Sequence, residues 1–107
     1  MEDANVLYAY SLDQAIADGV LVEVFKNRWK ELSGGKPIVA TAHLYSEVSL
    51  AGLMEIWNKY VAWRNKPKVY HQDEYDDDET YVTQMNGNDI WVIEDGAAFT
   101  MLYPEDY

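Results

Sequence analysis

The most regular pattern of apolar and polar positions begins near Ser49. Apolar side chains recur there every three or four residues, which is the spacing of one face of an α-helix. Ser49 is suited to cap the first turn, and Asn65-Lys66-Pro67 is expected to end the helix, because the residue before a proline avoids helical angles. The pattern predicts one long helix with its stripe on the core. The stripe comprises Leu50, Leu53, Met54, Trp57, Tyr60, Val61 and Arg64, widened by Ile56 and Trp63.

Three runs of β-branched, aromatic and other apolar residues follow, at 80–85, 90–94 and 98–103. Asn86-Gly87 separates the first two runs, and Asp95-Gly96 separates the last two. Asn-Gly and Asp-Gly between such runs are strong hairpin signals, because both residue types tolerate the positive φ of a tight turn. The three runs therefore predict an antiparallel meander.

The first half of the chain predicts shorter elements. Ser11-Leu-Asp-Gln14 is a capping box for a helix over residues 12–17, and Asp18-Gly19 ends that helix. Residues 20–24 read as a strand, and residues 26–32 favour helix up to the Ser-Gly-Gly-Lys-Pro break at 33–37. Residues 38–42 fit either a strand or the start of a helix. The predicted class is α+β: the long helix packs on a small antiparallel sheet, with residues 20–24 as a candidate fourth strand.

Size and composition predict a single domain over residues 1–107. The chain has no cysteine, which excludes disulfides, thiol nucleophiles and thiolate zinc sites. It has no apolar stretch approaching ~20 residues, and its acidic start, Met1-Glu2-Asp3, lacks the basic residues of a signal peptide. We therefore expect a cytoplasmic protein without membrane contact.

Charge is distributed unevenly along the chain. Residues 1–25 hold five acids and no base, residues 26–68 hold all eight bases and three acids, and residues 69–107 hold eleven acids and no lysine or arginine. The net charge of −11 disfavours direct binding to nucleic acid or to anionic lipid. The partner expected from this charge is a basic protein surface. A basic middle segment beside an acidic last third also makes a homodimer a candidate.

The densest acidic stretch is a predicted loop at about residues 69–79. Duplex DNA carries one charge per ~1.7 Å, and six carboxylates within seven residues approach a comparable density along an extended chain. Neighbouring tyrosines add contact area of the kind enriched at interfaces. A solvated linker is the plainer interpretation, and a weak calcium or magnesium site is a third, although the spacing differs from that of an EF-hand. The predicted partner-binding residues are Tyr70, Asp73, Glu74, Tyr75, Asp76, Asp77, Asp78 and Glu79.

Several short sequence segments together resemble a known group of proteins. Tyr10-Ser11 leads into Gln-Ala-Ile-Ala-Asp-Gly-Val-Leu-Val-Glu-Val at 14–24, and Pro-Ile-Val-Ala-Thr follows at 37–41. These resemble a family of small uncharacterised proteins of bacteriophages, plasmids and conjugative elements. The closing residues 99–107 are similar to tails of short accessory proteins of such elements. The resemblance implies a genomic setting without a chemistry, and the acidic insert after Pro67 has no counterpart in the family pattern.

Catalytic signals are sparse. Only His43 and His71 offer imidazole, there is no nucleophile elbow, and Ser33-Gly34-Gly35-Lys36 lacks the rest of a phosphate loop. We expect no enzymatic activity, no cofactor and no specific metal. The predicted function is inhibition of a host nucleic-acid-binding defence protein by DNA mimicry, as anti-CRISPR and anti-restriction proteins do. The alternative is a non-catalytic accessory or structural protein whose acidity serves solubility.

Overall fold

The computed structural model describes residues 11–65 and 80–107. Within them, helices pack on both faces of a five-stranded sheet whose strand order is β1-β2-β5-β4-β3. This confirms the α+β class. The elements are α1 (Leu12–Ala17), β1 (Leu21–Glu23), a 3-10 helix (Lys26–Arg28), α2 (Trp29–Ser33), β2 (Ile38–Thr41), α3 (Ala42–Glu47), α4 (Leu50–Asn65), β3 (Tyr81–Met85), β4 (Asn88–Glu94), β5 (Phe99–Leu102) and a second 3-10 helix (Pro104–Asp106).

The sheet is larger than the sequence indicated. The three C-terminal strands form the expected meander, and β1 is the predicted fourth strand. The fifth strand is β2, which comes from the segment 38–42 that fitted either a strand or a helix start. Its first four residues form the strand, and the chain passes directly into α3 at Ala42. β2 pairs antiparallel with β1 and parallel with β5, with Ile38 opposite Phe99. The short apolar segment is buried in the middle of the sheet, which is why its periodicity did not identify it.

The long helix α4 lies on one face of the sheet. Its buried residues are Leu53, Ile56, Trp57 and Tyr60, and they pack with the side chains of one sheet face, including Phe99 and Val92. The expectation that Leu50 joins this core was wrong. Leu50 is 57% exposed, because the first position of α4 lies in an open groove beside Phe25 and Tyr45 instead of over the sheet.

The opposite face of the sheet carries α1. Ala15 is buried there against Leu21, Val39 and Ala98. The Ser11 hydroxyl oxygen accepts the N–H of Gln14 at 3.1 Å, so the predicted N-cap is confirmed. Within the part of the chain that is described, no helix has the length and apolar character needed to cross a bilayer.

Candidate functional site

All eight residues of the predicted partner-binding segment lie outside the described residues. They are Tyr70, Asp73, Glu74, Tyr75, Asp76, Asp77, Asp78 and Glu79, and their role stays a prediction. The structure does place the charged and titratable groups of residues 11–65 and 80–107. Those groups decide how much charge the described residues leave for a partner.

A cluster of polar side chains joins the start of α3 to the C-terminal 3-10 helix. We call Thr41, His43, Glu47, Tyr103 and Asp106 the histidine cluster. The Thr41 hydroxyl donates to Asp106 Oδ2 at 3.0 Å and accepts the N–H of Leu44 at 3.2 Å, so one side chain caps α3 and holds the C-terminal turn. His43 Nδ1 lies 3.1 and 3.2 Å from the two carboxylate oxygens of Asp106.

Glu47 completes the histidine cluster one helical turn further on. His43 Nε2 lies 3.4 Å from Glu47 Oε2, and the Tyr103 hydroxyl donates to Glu47 Oε1 at 2.8 Å. The rings of His43 and Tyr103 also contact each other, with centroids 4.7 Å apart. Each nitrogen of the imidazole therefore faces a carboxylate.

These contacts change two proton affinities. The hydrogen bond with Asp106 raises the pKa of His43 above its ordinary value of 6.5, partial burial opposes this, and the charges of Asp106, Glu47 and Glu105 raise it further. Burial raises the pKa of Tyr103 to about 12, and its hydrogen bond to Glu47 adds to the shift. The imidazole of His43 thus contacts Asp106 through a hydrogen bond and lies within ion-pair distance of Glu47, which makes the cluster a tie between α3 and the C-terminal turn.

The arrangement offers little for proton transfer or metal binding. A general base needs a free ring nitrogen within reach of a substrate proton, and both nitrogens of His43 are directed at carboxylates. Across residues 11–65 and 80–107, no group of three or more histidine, aspartate or glutamate side chains is placed to hold a metal ion. The chemistry favoured by the cluster is structural.

Several acids of the last third make hydrogen bonds within the described residues. Asp89 accepts from the Gln84 side chain at 2.9 Å, and Asp95 accepts the N–H groups of Ala97 and Ala98 at 2.8 and 3.0 Å. Asp106 belongs to the histidine cluster. These carboxylates stabilise turns and contacts within the chain, and the binding role of the acidic last third stays a prediction.

Glu94 has the most basic surroundings of the described acids. Its carboxylate lies 3.0 Å from Lys36 Nζ and 3.2 Å from Arg64 Nη2. The same two cations lie over the ring of Phe99, 5.0 and 5.4 Å from its centroid. Lysine and arginine therefore join the loop before β2 and the end of α4 to strand β4 through one carboxylate and one aromatic face.

An open groove of about 540 Å³ lies between the β1–α2 connection and the helices α3 and α4. Tyr45 and Leu50 are exposed along it, and Phe25 adopts φ 57° beside them. The basic residues at its rim are matched by acids: Lys26 lies 3.3 Å from Glu23, and Arg28 lies 3.0 Å from Glu31. The groove is accordingly apolar in character and close to neutral at its rim.

Sequence reasoning missed the histidine cluster. The sequence identified His43 only as one of two available imidazoles, and the structure places its side chain 41% exposed at the start of α3. The spacing of His43 and Glu47, four residues apart in a helix, was a readable signal for that ion pair. Nothing local indicated Asp106, which lies 63 residues further along the chain.

Comparisons of the chain with protein-family models, curated proteins and solved structures found no match.

Proposed function

We propose that this chain acts by binding, as an acidic inhibitor that occupies the nucleic-acid-binding surface of a host defence protein, such as a restriction or CRISPR nuclease. The observation that supports the proposal is the internal neutralisation of positive charge within residues 11–65 and 80–107. Because most of the described basic residues are already paired, they offer little positive charge to the acidic run at 73–79.

Pairing of the basic residues is nearly complete. Residues 11–65 and 80–107 contain six lysines and arginines, and five of them lie within 3.3 Å of a carboxylate oxygen. These five are Lys26, Arg28, Lys36, Lys59 and Arg64. The same residues contain eleven acids, so the described part is already negative before the run at 73–79 is added. Lys66 and Lys68 are the two basic residues outside the described part, fewer than the six acids of the run, so a basic partner can supply the balance of compensating charge.

The run has the charge density that such a partner recognises. An extended peptide rises about 3.4 Å per residue, so six carboxylates in seven positions give roughly one charge per 4 Å, close to the ~3.4 Å between phosphates along one DNA strand. Tyr70 and Tyr75 add aromatic surface next to these charges. Like charges at this spacing repel each other, and a basic partner relieves that repulsion.

The histidine cluster supports binding over catalysis. Its imidazole is held between carboxylates, and its remaining groups secure a helix cap and a chain terminus. A role in binding also fits the mobile-element setting implied by the N-terminal resemblance, because elements of that kind meet nucleases in the host.

The test removes charge from the run and from a matched set elsewhere. In the first variant Asp73, Glu74, Asp76, Asp77, Asp78 and Glu79 become Asn or Gln. In the control variant six exposed acids of the described part are changed in the same way: Asp13, Asp18, Glu31, Glu55, Asp89 and Glu105. Both variants lose six negative charges, and the control also removes the ion partners of Arg28 and Lys59, so inhibition that survives only in the control depends on the run and not on net charge.

Nucleases are first captured from a host lysate on the immobilised chain. The measurement is how far each variant inhibits DNA cleavage by these nucleases. We expect the wild type and the control variant to inhibit, the run variant to lose inhibition, and DNA to compete with the chain. Inhibition by the wild type should weaken as salt rises, because screening limits each carboxylate to ~8–10 Å. If the run variant inhibits as well as the wild type, or if DNA fails to compete, the accessory-protein alternative replaces mimicry.

A further inference from the structure

The described sheet ends on one side at a strand with little protection against pairing. β3 is the outermost strand, and no described strand pairs with its outer side. Its residues are Tyr-Val-Thr-Gln-Met, with no charge, no proline and no glycine. Natural edge strands usually carry lysine, proline, a bulge or a very short length, because an open row of N–H and C=O groups templates another strand.

The other edge of the sheet is protected in the usual ways. β1 has only three residues, and it ends in Glu23, which pairs with Lys26. Very short and charged edges resist pairing. The difference between the two edges singles out β3 as an interaction surface.

The turn after β3 fixes which of its backbone groups face outward. Asn86 and Gly87 have φ of 56° and 83°, as a two-residue type I′ turn requires, and Met85 lies opposite Asn88. Met85, Thr83 and Tyr81 therefore exchange hydrogen bonds with β4, and the N–H and C=O groups of Val82 and Gln84 point away from the sheet. Val82 is also 53% exposed.

We propose that the outer edge of β3 pairs antiparallel with the same edge of a second copy, centred on Thr83, to form a continuous ten-stranded sheet with two-fold symmetry. Val82 then lies opposite Gln84 of the other copy, and the two residues exchange both backbone hydrogen bonds. The same pair recurs by symmetry, which gives four bonds. Thr83 faces its own counterpart, and threonine pairs of this kind are favourable across strands.

A second copy of the chain is the proposed partner of the β3 edge because this pairing register is self-complementary. Val82 and Gln84 lie one position before and one position after Thr83. In an antiparallel pair centred on Thr83, each of them therefore meets the other residue in the second copy. β3 itself carries no charge, but four acids at 76–79 come immediately before Thr80 in the sequence, and each chain has a net charge of −11. Repulsion between the copies comes from the rest of the surface, and we expect dimerisation to strengthen as salt rises. A short strand interface is small by the standards of stable dimers, so the association should depend on concentration.

The first experiment measures the mass of the full chain by sedimentation across protein and salt concentrations. Val82→Glu places a charge on the edge, and Val82→Pro removes an outward N–H that pairs with no described strand. Leu50→Glu is the matched control, since it replaces another exposed apolar residue with the same charge. We expect both Val82 variants to weaken dimerisation by roughly tenfold or more, which corresponds to at least ~1.4 kcal/mol. Leu50→Glu should leave it unchanged.

The second experiment tests the register and uses the absence of native cysteine. Thr83→Cys places two thiols in a non-hydrogen-bonded pair with Cα atoms ~4.5 Å apart, within disulfide range. Gln84→Cys places them two positions out of register, too far apart to bridge readily. Under mild oxidation Thr83→Cys should give linked dimers much faster than Gln84→Cys or the collision control Leu50→Cys.

The proposal is overturned if the chain is a monomer at all concentrations, if Val82→Glu and Leu50→Glu behave alike, or if Gln84→Cys links as fast as Thr83→Cys. A dimer that weakens as salt rises also overturns it. These measurements use the chain alone, so their outcome is independent of nuclease inhibition.

Discussion

At the residue scale, the contacts of His43 predict a pH dependence of stability. The carboxylate of Asp106 accepts a hydrogen bond from the ring and raises the pKa of His43 in the folded chain above 6.5. A group whose folded pKa is raised binds its proton more tightly in the folded state. Its stabilising contribution is complete below pH 6.5 and is lost as the pH rises through the folded pKa.

We therefore expect the melting temperature of the wild type to fall relative to that of His43→Gln as the pH is raised from below 6.5 into the alkaline range. Glutamine keeps a hydrogen-bond donor but does not titrate. The measurement is thermal unfolding at a series of pH values, with the His43 ring protons followed by NMR. Parallel curves for the two proteins would show that the cluster does not hold a proton.

At the element scale, α4 shows what the spacing of apolar residues predicts and what it cannot predict. The period of apolar residues identified the helix and most of its buried face. It placed Leu50 on that face because periodicity carries no information about where the sheet beneath the helix ends. Phe25 has φ of 57° although it is not glycine, and no turn motif in the sequence indicated it.

Substitutions at the first position and at the middle of the stripe should differ in their effect on protein stability. Trp57 is 2% exposed and packs edge-on against Phe99, with centroids 5.0 Å apart, so Trp57→Ala should cost roughly 3–5 kcal/mol of unfolding free energy. Leu50→Ala, in the same stripe, should stay within about 0.5 kcal/mol of the wild type, as exposed substitutions usually do. Denaturant unfolding measures both. Equal losses would place Leu50 in the core after all.

At the scale of the whole molecule, local signals were sufficient for the caps, the hairpins and the fold class. Ser11, the Asn86-Gly87 turn and the end of α1 each act within a few residues, so their neighbours in the sequence reveal them. The pairing of β2 with β5 and the meeting of His43 with Asp106 join segments that are 61 and 63 residues apart. No local pattern encodes such contacts, and they determine both the size of the sheet and the histidine cluster.

The surplus of acids also predicts how the molecule responds to cations. The described residues offer no cluster for a metal ion, and the spacing of the acids at 73–79 differs from that of an EF-hand. Calcium and magnesium at equal concentration should raise the melting temperature by small and similar amounts, through weak binding to the folded state. Differential scanning fluorimetry is sufficient to measure this. A large gain with calcium alone would establish a specific site.

The position of β5 has a consequence for the order of folding. β5 lies in the middle of the sheet, between the β1-β2 pair and the β4-β3 hairpin, yet it comes after all of them in the chain. During synthesis the two halves of the sheet emerge first and have no strand to join them. Contacts this distant in sequence also slow folding, because the intervening chain must be closed before they form. A ribosome-bound chain that stops before Phe99 should therefore remain sensitive to protease, and resistance should appear abruptly once β5 has left the exit tunnel.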